Sequence, residues 1–384
     1  MLDALRGAAA LAVVAFHIVY FLPLQFSDTS TVVLYAQKLL VYSCSFGFSG
    51  VQLFFVISGF CIHLRWARRQ EPGFLTRTNF RSFWLRRIRR LFPPYLAAAA
   101  LYVMVLSISG KFNWNFWGAY DLCMHFLMLH NLDIHTTNSL NGAFWSLAVE
   151  EQLYFAYFLL LAVRIRWGWK FALAMCFTVK FIWLFVWWAL HSFGGVDIVF
   201  SSSLFSNWMI WAAGAYLAEY RCGLASIPEF IKIRTFPLFS FLGAIAFDLF
   251  RRAAIGLQLE EEIWSSLAHF CWMAGFFSLM RILMAQEQKM LSSRLWGSSV
   301  RILAFVGTFS YSLYLTHGLM INHMAPWMDR NWLYNSGSNI LYRFAMVPLA
   351  LIVAYVFYLA IEKWTMTTQP QPHATGVKVG LQNA

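Results

Sequence analysis

Long apolar runs separated by short polar segments extend along almost the whole sequence. A run of about 20 apolar residues is long enough to cross the hydrocarbon core of a bilayer as a helix. The pattern therefore predicts an all-α, polytopic integral membrane protein with about ten transmembrane helices. A further apolar run at 116–130 fits either a loop or a re-entrant or interfacial helix. The predicted spans are 4–24, 39–63, 91–110, 145–163, 171–191, 204–220, 236–250, 263–284, 302–324 and 340–361.

The composition supports a membrane protein and one continuous domain. Of the 384 residues, 60% are hydrophobic and only 12% are charged, which is too apolar for an ordinary soluble protein. Residues 1–364 are predicted to form one transmembrane domain, and the polar residues 365–384 a disordered cytoplasmic tail. No internal repeat is visible, so the inverted-repeat pattern of many secondary transporters is missing.

The distribution of positive charge predicts the orientation of the chain. The formal charge is +12, but the arginines lie in short segments between apolar runs, which is typical of membrane topology and argues against nucleic-acid binding. The segment 64–90 holds nine arginines against Glu71 alone, which predicts a cytoplasmic loop, cytoplasmic termini and insertion in the cell inner (plasma) membrane. Arg251 and Arg252 are exceptions, because they fall on the outer side.

Cysteine spacing gives no indication of a metal site. The six cysteines occur singly, with no CxxC pair and no Cys/His cluster at ligand spacing. We therefore predict neither a bound metal nor a permanently bound cofactor.

The first apolar segment carries ionisable residues where they are costly. Asp3 and Arg6 stand at its start, and His17 lies past its middle. Arg6 and His17 are about three helical turns apart, so they share a face and are separated by roughly 16 Å along the axis. An intramembrane histidine with this neighbour is a candidate functional residue.

Two later segments place ionisable groups at a similar depth. Glu150 and Glu151 lie near the start of the fourth span, and because adjacent residues point about 100° apart, only one readily faces a shared cavity. His317 lies in the outer half of the ninth span, where an interfacial role and a functional role are both open. The remaining outer histidines are expected to be solvated: His125, His130, His135 and His191.

Arginines cluster just before Pro93 and Pro94, and this proline pair suits the opening of the third helix. Orientation alone explains several of these arginines, and anionic membrane lipids are possible partners. Guanidinium groups also bind phosphate in bidentate fashion, so a phosphate-rich cytoplasmic ligand is a further hypothesis.

Five motifs in one order give the sequence a family resemblance. They are LDALRGAAALAVVAFH, GVQLFFVISGF, RRIRRLFPPY, FWSLAVEEQLYF and GTFSYSLYLTH. With these motifs the chain resembles the membrane acyltransferase-3 family, whose members O-acylate extracytoplasmic glycans such as O-antigen, exopolysaccharide or peptidoglycan. The resemblance implies ten helices and an acyl-CoA donor used from the cytoplasmic side. The chain starts almost at the first motif and carries no fused hydrolase-like domain, so we expect the membrane domain or a separate partner to complete transfer.

The resemblance also implies site residues. The Arg-ten-residues-His motif falls on Arg6 and His17, with Asp3 beside them, and the glutamate after Trp-Ser-Leu falls on Glu150. The RxxR motif fits in two registers, formed by Arg86 with Arg89 or by Arg87 with Arg90. The late aromatic motif supplies three supporting residues, which are Tyr311, Tyr314 and His317.

We therefore expect transfer of an acyl group, most simply acetyl, from acyl-CoA to a glycan hydroxyl. His17 would be the general base, Glu150 would orient its imidazole, and Arg6 with the RxxR arginines would hold the CoA phosphates. An acyl-histidine intermediate is an alternative to direct transfer. The rival function is a proton-coupled transporter in which His17, Glu150 and His317 form a relay.

Overall fold

The protein is described here by a computed structural model that covers residues 1–21, 31–70, 79–194, 199–257, 260–294, 296–324, 344 and 346–366. Within these ranges the regular elements are helices, with no strand, which confirms the all-α prediction. They are α1 (Leu2–Phe21), α2 (Thr31–Ser45), α3 (Gly50–Ala67), α4 (Phe80–Ile108), α5 (Phe116–Phe126), α6 (Trp145–Trp167), α7 (Trp169–Ala189), α8 (Leu204–Arg221), α9 (Glu229–Lys232), α10 (Phe236–Gly256), α11 (Glu262–Ala285), α12 (Glu287–Ser292), α13 (Trp296–Thr308), α14 (Ser310–Leu319), α15 (Met346–Phe357) and α16 (Lys363–Met366).

Seven helical segments in the described ranges are long and apolar enough to cross a membrane, or eight if a bent pair counts as one. The bent pair is α13 and α14, which meet at 70°. The predicted spans at 204–220 and 236–250 do correspond to α8 and α10, but neither belongs to that group. The prediction of a multi-pass chain agrees with these helices, whereas the count of ten is not confirmed.

Helix α4 begins earlier than the sequence suggested. Its first residue is Phe80, and the Asn79 side chain caps it by accepting a hydrogen bond from the Ser82 amide at 3.0 Å. The prediction that Pro93 and Pro94 open this helix is wrong, because both lie inside it. The basic residues 81–90 are therefore helical, and their side chains have defined directions.

The two prolines leave a helix carbonyl for other partners. A proline at position i cannot donate to the carbonyl of residue i−4, so Pro94 does not bond the Arg90 oxygen. That oxygen instead accepts from the Thr365 hydroxyl at 3.1 Å, and one residue further on the Leu91 oxygen accepts from the Tyr311 hydroxyl at 2.9 Å. The basic end of α4 is thereby joined to α14 and α16.

The apolar run at 116–130 contains helix α5 and a 3-10 turn at His130–Leu132. The expectation that His125 and His130 are solvated is wrong: their exposed fractions are 2% and 0%, and their rings stack at 4.0 Å. Burial, and secondarily the neighbouring His125, lowers the pKa of His130 to about 3, so His130 stays neutral. His135 and His191 are exposed, as expected.

Glycines allow two helix pairs to approach closely. A Cβ atom on Gly59 of α3 would lie 2.0 Å from the Trp211 carbonyl oxygen of α8, and one on Gly214 would lie 2.0 Å from the Val56 oxygen. A Cβ on Gly307 of α13 would likewise meet a backbone oxygen of α1. Small residues of this kind let membrane helices pack backbone to backbone.

We expect Gly214→Ala to destabilise the protein, because the added methyl group must push α8 away from α3. Overpacking of this kind costs about 1–3 kcal/mol, which should lower the midpoint of thermal unfolding in detergent. Gly256→Ala is the matched control, since a Cβ there meets no atom within 4 Å. Equal unfolding midpoints for the two variants would contradict this account of the helix contact.

The predicted tail begins inside a helix, because Thr365 and Met366 belong to α16. Residues 367–384 lie outside the described residues, so the disorder of the tail stays a prediction.

Candidate active site

Two cavities open between the helices, and Val51 and Tyr314 line both of them. The first, which we call the arginine cavity, has a volume of about 320 Å³ and is lined by Arg6, Arg87 and Arg90. The second, which we call the histidine cavity, has a volume of about 900 Å³ and is lined by His17 among others. Because α1 contributes Arg6 to one and His17 to the other, the cavities are offset along its axis, by roughly 16 Å between these residues.

The arginine cavity is lined by one of the two arginine pairs that fit the RxxR motif. Arg87 and Arg90 line it, whereas Arg86 and Arg89 do not, and Arg89 is exposed. On a helix, residues three apart share a face, so the pair Arg86 and Arg89 points in a different direction from the pair that lines the cavity. The Arg87 guanidinium also lies over the Tyr154 ring, 5.6 Å from its centroid.

Arg6 enters the same cavity from α1. Its Nη1 donates to Asp3 Oδ1 at 2.8 Å, and its Nη2 to Cys61 Sγ at 3.3 Å. Asp3 also lines the cavity, so it acts as the local carboxylate partner of Arg6. Three guanidinium groups from two helices therefore converge on one space.

Glu150 lies in the arginine cavity and not beside His17. Its Oε1 accepts from the Ser58 hydroxyl at 2.6 Å and from the Tyr154 hydroxyl at 2.5 Å. Its neighbour Glu151 is 7% exposed and does not line the cavity, which agrees with the expectation that only one of the two glutamates would do so. The structure thus does not place Glu150 where it would orient the imidazole.

The partner of His17 is His317, 300 residues further along the chain. The His17 Nδ1 and His317 Nε2 atoms are 2.8 Å apart, and the two rings stack at 4.9 Å. His317 Nδ1 lies 3.0 Å from the Leu313 carbonyl oxygen, which can only accept a hydrogen bond. His317 therefore carries a proton on Nδ1. With both rings neutral, its Nε2 accepts from His17 Nδ1–H, and this tautomer of His17 has its lone pair on Nε2.

Val51 and Tyr314 line both cavities and so lie at their boundary, which we call the wall, and Tyr314 belongs to the late aromatic motif. The Tyr314 hydroxyl donates to the Ala143 carbonyl at 3.0 Å and lies 2.5 Å from Ser146 Oγ. Tyr311 lines the arginine cavity and bonds the Leu91 carbonyl. Both tyrosines are thus fixed by backbone oxygens.

Sequence reasoning missed two buried polar clusters. In the first, Glu219 of α8 accepts from His63 Nε2 at 2.9 Å and from Arg164 Nη2 at 2.6 Å. In the second, the Lys180 ammonium donates to the Ser206 carbonyl at 3.0 Å and lies 3.4 Å from His269 Nδ1. Each cluster contains an ionisable residue inside an apolar run, and such a residue is the sequence signal that could have identified the cluster.

The sequence also matches a known protein family. The sequence model of the acyltransferase-3 family, which is described as an acyltransferase domain, matches residues 1–359. The chain belongs to the acyltransferase-3 family. This family match covers α1 to α15 and agrees with the resemblance drawn from the five motifs, whereas Glu362 and Met366, which also line the arginine cavity, follow its last residue.

Two curated relatives match part of the chain. Over 179 residues the chain is 28% identical to the peptidoglycan O-acetyltransferase OatA of Listeria monocytogenes, an alignment that covers 43% of this chain and 24% of the relative. It is 31% identical over 179 residues to the putative peptidoglycan O-acetyltransferase YrhL of Bacillus subtilis, covering 42% and 23%. The matched part thus spans about a quarter of each relative's length. No solved structure matches the chain.

Proposed function

We propose that the protein is a membrane-bound O-acetyltransferase that moves an acetyl group from acetyl-CoA to a hydroxyl of a cell-surface glycan. One observation carries the proposal: His17 and the three converging arginines line two cavities that meet at Val51 and Tyr314. The names of the two relatives support acetyl as the group and peptidoglycan as one candidate acceptor.

The arginine cavity is the proposed site of the donor. Arg6, Arg87 and Arg90 would bind CoA phosphates, since charge-assisted bidentate bonds suit guanidinium and phosphate groups. Glu150 balances part of this positive charge and is fixed by Ser58 and Tyr154. We place the cavity at the cytoplasmic side, because it adjoins the basic segment that the orientation rule assigns there.

The histidine cavity is the proposed site of the acceptor. The acceptor hydroxyl would give its proton to His17 Nε2 while its oxygen attacks the thioester carbonyl. The C–S bond then breaks, an ester forms, and the thiolate of CoA takes up the proton from the imidazolium. His317 acts as a positioning residue, because its bond to Nδ1 holds His17 in the tautomer that has its lone pair on Nε2.

The test uses the full chain in nanodiscs with acetyl-CoA labelled in its acetyl group and a peptidoglycan disaccharide as acceptor. We expect free CoA thiol to appear together with base-labile label on the disaccharide, in equal amounts. Binding of acetyl-CoA is measured alongside, because an unsuitable acceptor would silence transfer without affecting donor binding. The absence of both donor binding and thiol release would overturn the proposal. Passage of a solute across proteoliposomes without thiol release would favour the proton-coupled transporter.

A further inference from the structure

One positively charged side chain in the histidine cavity, that of Arg252, forms no salt bridge with a described residue, although the Asp248 carboxylate one helical turn earlier attracts it. Arg251 and Arg252 both line this cavity near the end of α10. Arg251 is balanced, since its Nη1 donates to Glu261 Oε2 at 2.9 Å and its Nε lies 3.7 Å from Asp248 Oδ1. Arg252 forms no such ion pair within the described ranges.

The bonds that Arg252 does make are to neutral groups. Its Nη2 donates to the Ser45 hydroxyl at 2.9 Å and to the Ser45 carbonyl at 3.3 Å. Its guanidinium lies over the Phe46 ring, 4.9 Å from the centroid. These contacts hold the group at the cavity wall, while Nε and Nη1 make no hydrogen bond to another described residue. A guanidinium carries five donors in a fixed plane, so donors remain for a ligand.

The cavity as a whole carries an excess of positive charge. Among the described residues, its lining holds Lys111, Arg251 and Arg252 and one carboxylate, that of Asp248. That carboxylate is already used, because Asp248 Oδ2 accepts from the Trp272 indole at 2.8 Å and Oδ1 faces Arg251. Membrane orientation does not account for Arg252 either, since orientation favours arginines on the cytoplasmic side and this cavity is placed on the other.

We infer that Arg252 forms a subsite in the histidine cavity for an oxyanion of the acceptor, and Lys111 adds positive charge to the lining of the same cavity. This inference rests on the proposed function, and it narrows the acceptor to an anionic saccharide. The oxyanion is either a carboxylate on a sugar residue or a phosphate that links the sugar to a lipid carrier. Both present oxygens that the remaining donors of a guanidinium bind in the same geometry. A volume of about 900 Å³ accommodates a ligand of this size.

The test is direct binding by calorimetry to the full chain in nanodiscs, with no acetyl-CoA present. The probes are a disaccharide containing N-acetylmuramic acid, the same disaccharide with its carboxylate converted to the amide, N-acetylglucosamine 1-phosphate, and N-acetylglucosamine. Wild type should bind at least one oxyanion about 10- to 100-fold more tightly than its neutral counterpart, as expected for a charge-assisted bond. The pair that shows the preference identifies the source of the oxyanion.

Variants then assign the preference to the residue. Arg252→Gln should abolish the preference and leave affinity for the neutral probe within about threefold, whereas Arg252→Lys should keep part of it. Arg234→Gln, an exposed arginine outside the cavity, is the control. Equal affinity of wild type for charged and neutral probes overturns the subsite, even if a variant fails to fold. The binding test contains no acetyl-CoA and requires no catalysis. If binding depends on Arg252 but the separate assay shows no acetyl transfer, the result contradicts the proposed function and leaves the subsite intact.

Discussion

Replacing His17 with alanine is expected to lower the rate of acetyl transfer by about 10²- to 10⁴-fold, the usual contribution of a general base. The affinity for acetyl-CoA should stay within about threefold of wild type, because His17 lines the histidine cavity and not the arginine cavity. The measurement is labelled acetyl transfer to the disaccharide, with donor binding on the same preparation. His135→Ala is the control, since that side chain is exposed and lines neither cavity.

Replacement of His317, the partner of His17, tests the same mechanism independently. His317→Gln should reduce the maximal rate by a smaller factor, about tenfold, and change the pH dependence of that rate, because the tautomer of His17 is no longer fixed. In the double variant the two losses should not add, since the residues act as a unit. Full activity in His17→Ala, or additive losses, would contradict the assignment of the base.

Loss of Arg90 is expected to weaken acetyl-CoA binding by about 10- to 100-fold, the value of a hydrogen bond between charged groups. Arg90 lines the arginine cavity and faces it together with Arg87, one helical turn earlier. The neighbouring Arg89 is exposed and outside the cavity, so Arg89→Ala is a control that differs by one position along the chain. The measurement is calorimetric titration of each variant with acetyl-CoA.

The comparison of the two arginines also tests the register of the RxxR motif. Arg90→Lys should recover part of the affinity, because it keeps the charge and loses the bidentate geometry. Dephospho-CoA and pantetheine should show progressively less dependence on Arg90 if phosphate is the group bound. If Arg89→Ala weakens binding as much as Arg90→Ala does, the cavity is not the donor site.

Counting helical turns from the sequence located much of the candidate site. The distance from Arg6 to His17 along one helix is a property of local geometry, so it followed from spacing alone. His317 was placed at a similar depth by the same reasoning, and the structure brings it to 2.8 Å from His17. Local periodicity also separated Glu150 from Glu151, of which only Glu150 lines a cavity.

The sequence could not predict which residues of different helices contact each other. The bond between Glu150 and Ser58 joins residues 92 positions apart, and no spacing rule relates them. The choice of His317 over Glu150 as the partner of His17 likewise depends on how α14 packs after its bend from α13. The start of α4 was misjudged because a proline pair usually opens a helix, whereas here Thr365 satisfies the carbonyl that Pro94 leaves without its helix donor.

The wall formed by Val51 and Tyr314 also has an electrical consequence. A continuous column of water through the helices would let protons and ions run down the membrane potential, which is worth about 2.3 kcal/mol per charge for each 100 mV. In the proposed reaction, side chains at the boundary of the two cavities would prevent this leak, since only the small uncharged acetyl group would have to reach across. In the proposed reaction the protein would connect two aqueous compartments chemically while keeping them insulated from each other.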